Sequence, residues 1–170
     1  MAKSSVVTVL SDREVQVERR FEAPRTLVWR AFTEPALIQK WMLGPPGFSM
    51  PICEMDVRTG GAYRWGWSDG KTSGTFGFHG TYSSVVPMES FAHNEIYDPP
   101  QGSGTGAMAN EMLVTIRFED LEDGGTIVTT SMVFENKEAR DGALSTGMTD
   151  GMEMSYAQLD AQAQSFAGAQ

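Results

Sequence analysis

"LSTGMTDGMEMSYAQLDAQAQSF", Leu144 to Phe166, decides the fold, because here the hydrophobic period changes. Leu144, Met148, Met152, Ser155, Leu159, Gln162 and Phe166 fall on one helical face. Gly142, Gly147 and Gly151 are costly inside a helix, each by up to about 1 kcal/mol relative to alanine. Either the helix starts after them, or something packs so closely that only small residues fit.

Upstream of this helix the period is two. Ile52–Arg58, Tyr63–Trp67, Thr75–Val86, Phe91–Tyr97, Met112–Phe118 and Thr126–Phe134 read as strands. Turn signals separate them: Gly60-Gly61, Asp69-Gly70, Pro87, Pro99-Pro100 and Asp123-Gly124-Gly125. Asp-Gly between alternating apolar residues marks hairpins, so the meander is antiparallel. Gln101–Gly106 reads as a loop. Further back, Glu14–Ala23 alternates as a strand, with Val15, Val17, Arg19 and Phe21 on one face. Pro24 opens a helix carrying Leu27, Val28, Ala31 and Phe32 along one side. A second short helix follows, with Thr33 as its expected N-cap, Pro35 at its first position, and Leu37, Ile38 and Trp41 apolar. Gly44-Pro45-Pro46-Gly47 ends it.

The order is therefore strand, two short helices, about six further strands and a long C-terminal helix. That is an α+β layer arrangement, a curved antiparallel sheet of about six to seven strands with the helix across its concave face. The first strand pairs most simply with the last. Residues 1–13 are expected to be a partly flexible extension, 14–166 one domain, and 167–170 a frayed tail.

The 170 residues carry a net charge of −9. Through Lys40, seven basic residues face five acidic ones; beyond it the count is six against seventeen. Nucleic acid and anionic membrane surfaces favour basic clusters, so neither is an expected partner. No stretch reads as a membrane span or a secretion signal. The single cysteine, Cys53, fits a reducing cytoplasm, which is the expected location.

Five blocks then carry a resemblance: "RRFEAPRTLVWRAFTEP", "WMLGPPGF", "CEMDVRTGGAYRW", "GFHGTY" and "GMTDGMEMSYAQLD". In this order they resemble the SRPBCC superfamily, which has the START and pollen-allergen-like helix-grip fold. Within it they resemble the bacterial branch named after the activator of heat-shock-protein-90 ATPase. The resemblance spans Glu14 to about Ser165. It implies a deep, largely apolar cavity between sheet and C-terminal helix, which superfamily members use for lipids, sterols, polyketides or hormones. It also places Trp41 and the Gly44–Phe48 loop near the cavity mouth. The co-chaperone that gives the family its name has a separate N-terminal domain that this chain does not resemble. A chaperone partner therefore does not follow from the name.

Alternation then sorts the candidates. Tyr63, Trp65 and Trp67 share one face, which we expect to look into the cavity. Phe76, Phe78 and Tyr82 share another such face. His79 takes the opposite parity and turns outward, unless Gly80 hosts a bulge. Phe91, His93, Glu95 and Tyr97 share a face expected to look inward. Met112, Met132, Met148, Met152 and Tyr156 complete the expected lining, and methionine suits varied apolar ligands.

His93 and Glu95 are the sharpest chemical candidates. A carboxylate beside an imidazole could orient it and raise its pKa, giving an acid/base pair or a polar anchor for a ligand. The structural alternative is that both reach water near an open edge. No His or Cys pair has metal-ligand spacing, no nucleophile elbow or phosphate loop is present, and no cofactor is implied. "GSGTGAMAN" has the wrong context for a nucleotide site and reads as a loop or lid. Cys53 reads as structural.

The chain thus reads as a small-molecule-binding protein holding an apolar or aromatic ligand, rather than an enzyme. The alternatives are a cyclase-, dehydratase- or hydrolase-like enzyme using His93 and Glu95, and a co-chaperone-like interaction module. A homodimer is compatible with any of the three.

Overall fold

The computed structural model describes residues 4–71, 75–100 and 111–167. The expected Gln101–Gly106 loop and the end of the tail lie outside the described residues.

Eight strands form one antiparallel sheet. They are β1 (Val6–Val9), β2 (Glu14–Phe21), β3 (Ser49–Met55), β4 (Ala62–Ser68), β5 (Phe76–Val86), β6 (Ser90–Asp98), β7 (Met112–Asp120) and β8 (Thr126–Val133). Their spatial order is β1-β2-β8-β7-β6-β5-β4-β3, so β2 pairs with β8 as expected. The count exceeds the expected six to seven because Val6–Val9, inside the expected extension, pairs with β2. A short β-branched run at an edge needs only one neighbour to form a strand.

The helices are α1 (Arg25–Thr33), α2 (Pro35–Trp41), α3 (Lys137–Ser145) and α4 (Met148–Phe166). Leu27, Val28, Ala31 and Phe32 of α1 are buried, as are Leu37, Ile38 and Trp41 of α2. Thr33 does not cap α2. Its hydroxyl donates to the Trp29 carbonyl within α1, and extended Glu34 takes the cap position without a capping bond from its side chain. A threonine hydroxyl can bond back one turn, and here that option wins.

The long C-terminal helix is α4, which starts at Met148, after Gly142 and Gly147, and the residues before it form the separate α3. Asn136 caps α3 by accepting from the Ala139 N–H at 2.8 Å. Gly147, at φ +80°, then breaks the chain in a left-handed conformation that other residues adopt reluctantly. A Cβ at Gly142, Gly147 or Gly151 would meet nothing within 4 Å, so close packing is not the reason for these glycines. In α4, Leu159 and Phe166 are buried as expected, whereas Tyr156 and Ala163 are buried in place of their neighbours Ser155 and Gln162.

α4 packs on β2 and against α1 and α2, α1 lies on β7, and α2 meets β3. The core therefore lies between the concave face of the sheet and three helices. On the β2 side, buried Arg19 lies 3.2 Å from Glu153 and 3.6 Å from Asp160, two turns of α4 in one ionic clasp. Its guanidinium also stands over the Phe21 ring at 5.1 Å. Burial alone would raise the Glu153 carboxyl. Hydrogen bonds from Ser5 and Arg19 outweigh that and hold it below its ordinary value. Among the described residues no helix is long and apolar enough to cross a membrane.

Candidate functional site

The β4–β5 register sets Tyr63 against Gly80, Trp65 against Phe78 and Trp67 against Phe76. Tyr82 pairs with His93 across to β6. Period-two geometry thus collects these side chains on the concave face. Tyr63, Trp65, Trp67, Tyr82, Phe91 and His93 are buried; Phe76, Phe78 and Glu95 are partly so. Rings touch in series: Tyr63 to Trp65 at 4.5 Å, Tyr63 to His93 at 5.0 Å, Tyr82 to His93 at 5.8 Å, and Phe91 stacked on His93 at 5.8 Å. Trp67 stacks on Phe76 at 5.6 Å, and Phe48 meets Phe76 at 5.7 Å. Met132 is buried, and Met112, Met148 and Met152 pack against the same core.

His79 does face outward. The bulge lies between Tyr82 and Ser84, beyond Gly80, so the ladder at His79 is regular. On the convex face its Nδ1 sits 2.9 Å from both oxygens of Asp98.

Trp41 is not at a mouth. It is 2% exposed, its indole donates to the Ala31 carbonyl at 2.8 Å, and its ring lies 4.9 Å from Phe32 and 6.1 Å from Tyr156. The apolar spacing of α2 turns it into the core. The Gly44–Phe48 loop does approach the strand residues: Trp67 donates to the Met42 carbonyl just before it, at 2.7 Å, and Phe48 reaches Phe76.

The polar groups arrange themselves differently from the expected pair. His93 is 2% exposed, which removes the open-edge alternative for this residue. Its Nδ1 lies 3.3 Å from the Asn94 carbonyl. Burial pushes the imidazole pKa down to about 4, against a smaller upward pull from that carbonyl. The expectation of a raised imidazole thus fails, because desolvation penalises the cation and no described hydrogen bond or ion pair joins His93 to Glu95. The carboxyl moves instead: burial pushes Glu95 up to about 7. Although Glu95 keeps some exposed surface, protein encloses its carboxyl. Its charge raises the buried phenols of Tyr63 and Tyr156 further, after burial itself. Tyr156 is anchored by Thr130, oxygen to oxygen at 3.3 Å.

Sequence reading also missed which polar atoms lack partners. Tyr63 donates to the Asn94 carbonyl at 2.6 Å. A Cβ at Gly80 would come within 2.1 Å of that oxygen, so glycine leaves room for Tyr63 and His93 to converge on it. In the same cluster, the buried His93 Nε2 and Trp65 Nε1 have no hydrogen-bond partner among the described residues. Only coordinates expose such atoms, because partnership depends on every neighbouring strand.

Cys53 behaves as a structural residue. Burial pushes its thiol up to about 11, and its sulfur lies 3.8 Å from the Pro35 carbonyl. Among the described residues no group of three or more His, Cys, Asp or Glu could hold a metal. An open depression of ≈ 410 Å³ sits over the starts of β6 and the ends of β7, lined by Arg25, Glu89, Ser90, Arg117, Phe118, Glu119 and Asp120. Its two arginines stand among three carboxylates, with Arg25 3.2 Å from Asp120, so it offers no unbalanced charge. Nor does any residue of α4 line it, so it is not the cavity expected between the sheet and the C-terminal helix.

An antiparallel sheet curved around a C-terminal helix, with an aromatic concave face, is the helix-grip architecture of the SRPBCC superfamily. More narrowly, residues 22–164 match the family model of the Activator of Hsp90 ATPase homolog 1-like proteins, and the chain belongs to that family. A crystal structure from Rhodobacter sphaeroides is similar at 27% identity and TM-score 0.84, covering 96% of this chain and 99% of the other. A Mycobacterium smegmatis protein matches at 21% identity and TM-score 0.79, covering 94% and 96%. A solution structure of an AHSA1-like protein from Aeromonas hydrophila matches at 18% identity and TM-score 0.66, covering 87% and 92%. No curated protein matches the chain.

Proposed function

We propose that the protein binds a small apolar or aromatic molecule between the concave sheet face and the C-terminal helix. The observation that carries this reading is the pair of unpartnered, buried polar atoms, His93 Nε2 and Trp65 Nε1, in a wall of aromatic rings. Buried polar groups are nearly always paired, and ligand pockets set a few such groups in an apolar, aromatic lining. The fold supports the same reading, since its superfamily holds ligands on this face.

A second reading has its own observation. A carboxyl held near pKa 7 is half protonated at neutral pH and can both take and give a proton. If the protein is an enzyme, Glu95 is the acid/base group and His93 a neutral hydrogen-bonding partner, reversing their expected roles.

Gently desolvated protein from its native host, analysed by native mass spectrometry and solvent extraction, tests the first reading. A stoichiometric small apolar molecule is the expected result. An empty protein that also leaves the Trp65 and Trp67 fluorescence unmoved across a panel of aromatic probes would sink it.

A further inference from the structure

The chemical class of the ligand follows from which of the two unpartnered atoms donates and which accepts. This step rests on the binding reading above. The Asn94 carbonyl can only accept, so the His93 Nδ1 facing it at 3.3 Å must carry the hydrogen. The other ring nitrogen, Nε2, is then a bare lone pair and an acceptor. Trp65 Nε1–H can only donate. Tyr63 is committed to the Asn94 oxygen, which removes its hydroxyl as a competitor. The His93 and Trp65 rings lie 5.9 Å apart at 79°, within one cluster closed by Tyr63.

We infer that this end of the site selects a neutral hydroxyl group, an alcohol or phenol on a flat apolar body, donating to His93 Nε2 and accepting from Trp65 Nε1. One oxygen can do both. A carboxylate brings acceptors only, so it would meet the histidine lone pair with a second lone pair, and Glu95 stands two residues along the same face. A plain hydrocarbon would leave both atoms unpaired. Sites built to bond a hydroxyl reject the analogue lacking it far more strongly than apolar pockets discriminate size.

The test compares naphthalene, 2-naphthol and 2-naphthoate, followed by tryptophan fluorescence and by the indole N–H signal of Trp65. The expected order puts 2-naphthol at least about tenfold tighter than either of the others. His93→Phe and Trp65→Phe should each erase that preference while naphthalene still binds. Equal binding of 2-naphthol and naphthalene overturns the hydroxyl inference, a buried water being the partner of both atoms, and leaves the binding reading standing. Failure of all three to bind overturns both. Should the variants not fold, nitrogen spectra of the wild-type imidazole decide. Hydrogen on Nδ1, with an Nε2 signal that moves when 2-naphthol is added, supports the inference; hydrogen on Nε2 overturns it.

Discussion

The concave face has two aromatic ends that look alike in composition and differ in how their polar atoms are used. Beneath α1, α2 and α4, Trp41, Phe32, Phe118 and Tyr156 interlock, and the polar atoms of Trp41 and Tyr156 have partners in Ala31 and Thr130. Over β4–β6, Tyr63, Trp65, Tyr82 and His93 interlock equally well, yet two nitrogens lack partners. Ring packing alone therefore does not separate a core from a recognition surface. Hydrogen-bond accounting does tell these two clusters apart, since an unpaired buried group costs about 1–3 kcal/mol and, among the described residues, only the β4–β6 cluster carries such ring nitrogens.

That contrast can be broken by mutation. Trp41→Ala should cost the most, roughly 3–5 kcal/mol, through lost burial and the cavity left behind. Urea unfolding measures it; a loss under about 1 kcal/mol would mean that the α2 end is not the packed one.

The next effect is read against pH. The folded His93 pKa, about 4, lies below its ordinary 6.5, so the unfolded chain takes up a proton first and stability falls as pH drops through that window. Glu95, about 7 when folded against 4.5 ordinarily, loses stability as pH rises from 4.5 to 7. Each contribution is on the order of 3 kcal/mol. Between pH 4.5 and 6.5 the two slopes oppose, so their summed contribution is nearly flat. Glu95→Gln should expose a stability that falls with acidification, and His93→Phe one that falls with rising pH. Unfolding midpoints that show no opposite slopes in the two variants would contradict the burial of one group or the other.

The smallest effect is expected for His93→Phe at pH 7, under about 1 kcal/mol. It exchanges one ring for another, removing an Nε2 that bonds nothing among the described residues and a long Nδ1 bond to the Asn94 carbonyl, an acceptor that keeps the Tyr63 hydroxyl. A large loss would recast His93 as structural.

Period and parity carried the fold and the orientation of the site a long way. Alternation placed Tyr63, Trp65, Trp67 and Tyr82 inward and His79 outward, because a side chain's face depends only on its own strand. The residues that misled are those whose role depends on distant partners. Trp41 is a core residue through Ala31 and Tyr156, Thr33 is not a cap because Trp29 competes for it, and Val6–Val9 is a strand only beside β2. The imidazole pKa expected to rise falls instead, and the carboxyl rises, for the same reason. Adjacency in sequence suggested mutual stabilisation, whereas enclosure by several strands made desolvation dominate.

The Arg19 clasp has a kinetic consequence. A guanidinium 3% exposed, shared by Glu153 and Asp160, fastens the β2 flank of α4 to the sheet. Peeling the helix away along that side would strand a cation inside the protein. Such a rupture costs on the order of 3–5 kcal/mol, or roughly two to four powers of ten in rate. Under the proposed function, a guest would exchange along the opposite rim, where Phe48 and Phe76 meet and Tyr97 is 40% exposed. The clasp thus makes the two sides of the grip unequal: one flank of α4 is tied to the sheet by a buried cation.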